Sequence, residues 1–146
     1  MTLRTSANPL DEKRRATLAA LADELVPAAL GMPSATEVDV HIEGINHVLA
    51  ARPDLAEPLA RLLDQVSGEE PAAALERLNE EDPEAIGVLG TAVTGAYYID
   101  PRVRDLIGYH GQPNKPPQPG ESDEYLAGGI LDPVRERGPV FRPTPS

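Results

Sequence analysis

Asp82-Pro83-Glu84-Ala85-Ile86-Gly87-Val88-Leu89-Gly90-Thr91-Ala92-Val93-Thr94-Gly95-Ala96-Tyr97-Tyr98-Ile99-Asp100-Pro101 is the stretch on which the reading of the fold turns. An Asp-Pro pair stands at each end. Proline suits the first position of a helix, where its missing N–H has no partner to lose, and the Asp before it can cap the free amides. Between the pairs, Ile86, Leu89, Val93 and Tyr97 recur at helical spacing. The stretch therefore predicts a helix from Pro83, followed at once by another from Pro101. That next helix carries Val103, Leu106 and Ile107, and Gly108 is placed to stop it.

The long helix holds Gly87, Gly90 and Gly95, each costing about 0.8–1 kcal/mol relative to Ala. Close packing must offset that cost. Gly87, Thr91, Thr94 and Gly95 are expected to admit another backbone, from a neighbouring helix or from a partner chain.

The same grammar extends upstream. Asn8-Pro9 predicts the first helix, with Leu18, Leu21, Ala22 and Leu25 on its buried face. Ser34 with Glu37 three residues later is a capping box for a second helix bearing Val38, Ile42, Ile45 and Leu49. Pro53, with Pro58 as a restart, opens a third carrying Leu55, Leu59, Leu62, Leu63 and Val66, and Pro71 a short fourth with Leu75 and Leu78. No segment shows convincing alternation of period two. The expected fold is all-α, a small bundle of about five or six helices over residues 1–108.

Residues 109–146 differ in character. Eight of these 38 are Pro and five are Gly, beyond the usual share for a packed globule. Tyr125, Leu126, Ile130, Leu131, Val134, Val140 and Phe141 nonetheless make the segment too apolar for an idle linker. It reads as an extended arm that wraps its own bundle or lies along another protein. The five aromatics, at 97, 98, 109, 125 and 141, all fall in the last third of the chain.

Composition narrows function. With no Cys among 146 residues, disulfide scaffolds, thiolate zinc sites and thiol nucleophiles are excluded. A net charge of −11 repels phosphate backbones, so nucleic acid is not an expected partner. Residues 1–108 carry 9 basic and 19 acidic groups, a net of −10. No apolar run approaches the roughly 18 residues a membrane span requires, so no direct membrane insertion is expected. Arg14-Arg15 precedes a seven-residue apolar run that ends at Asp23-Glu24, while Asp11-Glu12 stand where an export signal is basic. The expected compartment is cytoplasmic, with periplasmic co-export beside a partner as the alternative.

Chemistry-bearing groups are sparse. Asp39, Glu43 and His47 share a helix face, a strip suited to a metal, although i,i+4 ion pairing is its ordinary meaning. His41 borders the apolar face. His110 lies in a Gly/Pro loop after Tyr109. No phosphate loop, dinucleotide fingerprint or nucleophile elbow is present. The residues read as a binding or assembly protein; the alternatives are a self-contained helical interaction module, or an enzyme centred on His110 or on Asp39, Glu43 and His47.

The segment Gly95-Ala-Tyr-Tyr-Ile-Asp-Pro-Arg-Val-Arg-Asp-Leu-Ile-Gly-Tyr-His-Gly-Gln-Pro113 resembles the C-terminal signature of the gluconate 2-dehydrogenase subunit 3 family. Leu18-Ala-Ala-Leu-Ala-Asp-Glu-Leu-Val-Pro27 is similar to that family's first helix, and the likeness covers roughly residues 16–113. It implies a small accessory subunit, without cofactor or catalytic residues, of a flavin-dependent oxidoreductase of the glucose–methanol–choline type. FAD is then expected in the large subunit, which the small one helps to fold, load with flavin or export. Family members often carry a twin-arginine leader, and the export-signal pattern here departs from it. The residues expected at the partner interface are Tyr97, Tyr98, Arg102, Tyr109, His110, Gln112, Tyr125 and Phe141. One of the adjacent pair Tyr97 and Tyr98 is expected to cap the bundle core instead.

Overall fold

A computed structural model describes residues 10–112, 116, 120 and 127–140. The fold is all-α. The chain divides into two units, Met1–His110 and Gly111–Ser146.

The first unit holds α1 (Glu12–Leu25), α2 (Ile45–Ala51), α3 (Ala56–Gln65), α4 (Pro71–Glu81), α5 (Pro83–Ile99) and α6 (Pro101–Leu106). The two Asp-Pro starts form as expected: Asp82 accepts from the Ala85 amide at 3.0 Å and Asp100 from the Arg102 amide at 2.8 Å. Glu70 caps α4 in the same way, through the Ala73 amide. Pro58 stays in the first turn of α3, after a 3-10 turn over Pro53–Leu55, where no intrahelical bond is lost. Gly108 ends α6 at φ +70°: its amide bonds Asp105 O at 3.1 Å and the Tyr109 amide bonds Arg104 O at 2.8 Å. That pair of bonds is a Schellman closure.

Helix α1 starts later than Asn8-Pro9 predicts. Asp11 is extended and accepts from the Arg14 amide at 2.9 Å, so helical geometry begins at Glu12; Asn8 and Pro9 lie outside the described residues. Arg14 and Arg15 are both engaged. Arg14 makes a two-pronged bond to Asp64 on α3, at 2.9 and 2.7 Å.

The second predicted helix is not continuous. The capping box forms, with the Ser34 amide bonding Glu37 Oε2 at 2.6 Å and the Glu37 amide reaching Ser34 Oγ at 3.5 Å. Asp39 then adopts φ +56°, and Val40–Gly44 forms a π-helical turn before α2. The wider turn rotates the face: Val40 is buried and Ile42, expected in the core, is exposed. Arg15 secures this turn. Its guanidinium donates to Leu10 O, His41 O, Ile42 O and Asn46 Oδ1 at 2.8–3.2 Å. Arg15→Met should therefore cost about 2–3 kcal/mol, since hydrogen bonds from a charged donor carry the larger energies and two of these four are half-buried. Urea unfolding of the variant measures it.

The core is aliphatic. Leu18, Leu21, Leu59, Leu63, Leu78, Leu89, Val93 and Val103 are fully or almost fully buried around α5. Leu25, Leu106 and Ile107, predicted on core faces, are exposed. Leu25 ends α1, and α6 is six residues long and buries Val103 alone.

The glycines expected to receive a close neighbour divide. A Cβ at Gly95 would sit 3.3 Å from Val48 Cγ2, whereas Gly87 and Gly90 face open space. The tightest approach is at Gly44, where a Cβ would lie 3.0 Å from both Cβ and O of Ala96.

The second unit contains α7 (Asp132–Arg137), a helix that the expected extended arm does not include. Another Asp-Pro pair, Asp132-Pro133, occupies its first two positions, and Gly138 at φ +67° ends it. None of its residues is buried.

Candidate functional site

The loop joining α1 to the π-turn is built as a rigid bracket. The Ala29 and Met32 amides each bond the other's carbonyl, at 3.1 and 2.8 Å, and below them the Ala35 amide bonds Val26 O at 3.1 Å. Leu30 and Gly31 form the two-residue tip, at φ +51° and +84°. Gly accepts such a turn without strain. Leucine does not, and left-handed backbone costs it roughly 1–2 kcal/mol.

The bracket is tied to α5 by Tyr97, whose hydroxyl donates to Pro33 O at 2.7 Å. Tyr97 is 3% exposed, and burial pushes its hydroxyl up from the usual tyrosine range. Tyr98 packs edge-on against it at 5.4 Å and is 52% exposed. Of the adjacent pair, the core role thus falls to Tyr97.

Arg102 sits between two hollows. One, of about 630 Å³, lies against the bracket and is lined by Met32, Pro33, Glu37, Val38, Arg102 and Leu106 among others. The second, of about 420 Å³, is lined by Asp39, Glu43, His47, Ile99, Asp100 and Arg102 among others. Arg102 bonds both oxygens of Asp100, at 3.1 and 2.9 Å, and donates to Glu37 O at 3.0 Å. It reaches Asp39 at 3.4 Å. Asp39, Glu43 and His47 thus line the same hollow as Arg102, but they do not share the single helix face expected of them: Asp39 is left-handed, Glu43 lies in the π-turn and His47 on α2. Among the described residues, no group of three His, Asp or Glu side chains is arranged to hold a metal ion.

Around the corner, Arg104 lies over the Tyr109 ring at 5.4 Å, and His110 Nδ1 is 3.8 Å from Asp105 on open surface. Gln112 is exposed. Tyr125 and Phe141 lie outside the described residues. His41 is half-buried, and its Nδ1 has no hydrogen-bond partner among the described residues.

No protein-family model, curated protein or solved structure matches the chain. Among the described residues, no helix is long and apolar enough to cross a membrane.

Two carboxylates make this region acid-sensitive. The Arg102 guanidinium, opposed by partial burial and helped by the Arg102 amide, holds Asp100 below the ordinary carboxylate range. Burial pushes Asp23 up, but hydrogen bonds from the Thr36 hydroxyl and amide, with contributions from Ser34 and His41, outweigh it and hold Asp23 low. Both groups bind fewer protons folded than unfolded as the pH falls toward the unfolded value of about 3.9. Their stabilisation is therefore full above that pH and lost as pH drops through the folded values. Thermal midpoints should hold from pH 7 to about 5 and fall below about 4. Asp23→Asn and Asp100→Asn should each flatten that acid limb.

Leu30 is the site residue that sequence periodicity does not reveal. The signal present is the dipeptide Leu30-Gly31 between Pro27 and Pro33, a turn composition with an apolar residue at its tip.

Proposed function

We propose that this chain is a non-catalytic subunit that binds and stabilises a flavin-dependent sugar or sugar-acid oxidoreductase, with the flavin carried by the large subunit. The observation that carries the reading is the exposure of apolar side chains along residues 98–109. Tyr98, Ile99, Leu106, Ile107 and Tyr109 there are each about half exposed, at 47–56%. A run of aromatic and aliphatic side chains left to water beside a complete core suits a contact surface. The same residues lie within the Gly95–Pro113 segment that resembles the gluconate 2-dehydrogenase subunit 3 family. Tyr98, Tyr109 and Arg102 are of the residue types that dominate interface energetics.

Co-expression with the flavin-dependent oxidoreductase encoded in the neighbouring reading frame tests it. The two chains should co-elute in size exclusion as one species. An adjacent frame that encodes no flavoprotein, or two chains that elute separately, speaks against the proposal.

A further inference from the structure

We propose that the Ala28–Pro33 bracket is a docking knob, with Leu30 entering an apolar socket on a partner protein whose rim carries lysine or arginine. The proposal deepens the subunit reading and rests on it for the partner's identity, though not for the partner's chemistry.

Leu30 is at once strained and unsupported. Its φ is +51°, and at 104% relative exposure it is the most exposed large apolar residue among those described. The other described non-glycine at positive φ is Asp39, a residue type that tolerates it. Asn, Asp or Gly at position 30 would make the same turn with less strain, so Leu30 does nothing for the isolated fold. Strain of this kind collects at binding sites.

The knob is also held still. Two reciprocal Ala29–Met32 bonds, the Ala35–Val26 bond and the Tyr97 hydroxyl on Pro33 fix its stalk. Docking then immobilises little that was mobile, which preserves affinity. Beside the tip, Met32, Pro33, Val38 and Leu106 line the adjoining hollow, so apolar contact continues from the knob onto the bundle.

Charge selects the partner. The hollow beside the knob is lined by Glu37 and Arg102, one charge of each sign, while residues 1–108 as a whole carry 19 acidic and 9 basic groups, a net of −10. A second copy of this chain would bring the same sign to the contact. A rim of Lys or Arg complements it, and like charges facing one another oppose assembly.

The test places the photoreactive residue p-benzoylphenylalanine at position 30 of the full chain, irradiates the host cells and maps the adduct by mass spectrometry. The expected product is one dominant adduct, on apolar residues flanked by Lys or Arg of a different protein. In parallel, Leu30→Asn should raise the thermal midpoint by about 2–5 °C as the turn strain is relieved, while recovery of the mapped partner falls at least tenfold. No adduct, an adduct on a second copy of this chain, a socket without basic residues, or full partner recovery with Leu30→Asn each overturns the knob. An adduct on such a socket in a protein without flavin keeps the knob and removes the subunit reading.

Discussion

Leu89→Ala is expected to lower the unfolding free energy by about 3–4 kcal/mol, within the range for large-to-small changes at sites that cannot collapse. Leu89 is fully buried in the middle of α5. That helix packs against α2, α3, α4, α6 and the π-turn, so a void there is walled by several elements held by their own contacts. Of the residues three and four away on α5, Ala85 and Ala92 are small and Val93 is already buried in the same core. A domain of this size has a total stability of about 5–15 kcal/mol, so the substitution removes a large share. Chemical denaturation with far-UV circular dichroism reads it directly. A loss under about 1 kcal/mol would mean that α5 is not the central element.

Gly44→Val should cost about 3 kcal/mol, at the upper end for overpacking. A Cβ at this position meets the Ala96 carbonyl oxygen as well as its methyl group, both at 3.0 Å. A side chain could turn away, but the carbonyl belongs to the backbone of α5. The π-turn and α5 must separate, loosening the core that Val40, Ile45 and Val93 share. Gly87→Ala provides the contrast. Its Cβ would meet nothing within 4 Å on the same helix that Gly44 abuts, so it should stabilise by about 0.5–1 kcal/mol through helix propensity alone. Opposite signs from two glycines identify which one makes the close approach.

Those two glycines also show where sequence reading reaches its limit. The helix starts at Pro83 and Pro101 and the stop at Gly108 were legible because each depends on residues within one turn of itself. The need for close packing around α5 was legible too, as an energetic requirement on its glycines. Its location was not. Of the three, Gly95 alone is approached within 3.4 Å, and the tightest contact involves Gly44, some fifty residues upstream. Nothing local marks the π-turn either. Arg15 stabilises it from α1 by binding carbonyls 26 and 27 residues away, and Ile42 is turned outward as a result. Helix α7 was within reach, since Asp132-Pro133 repeats the start signal already recognised at 82 and 100, but the proline and glycine content of the segment around it masked the pair.

The candidate site divides in the same way. Tyr98, Arg102, Tyr109 and His110 could be singled out because aromatics and arginine cluster in one short stretch. Helical spacing puts Asp39, Glu43 and His47 on one face; the left-handed Asp39 and the π-turn break that face, and the three meet only as lining of one hollow. Arg102, by reaching Glu37 O and Asp39, joins α6 to the loop before α2, a link that no spacing rule contains. Leu30 was invisible for a different reason: exposure and backbone strain belong to the folded turn and leave no periodic trace.

We propose that the chain serves a flavin-bearing partner. The most direct measurement is the FAD content of the large subunit purified after expression with and without this chain, read as flavin absorbance per polypeptide and as turnover with an artificial electron acceptor. About one flavin per large subunit is expected when the chain is present, and a marked loss of both flavin and turnover when it is absent. A large subunit that is fully loaded, fully active and equally stable without this chain would contradict it.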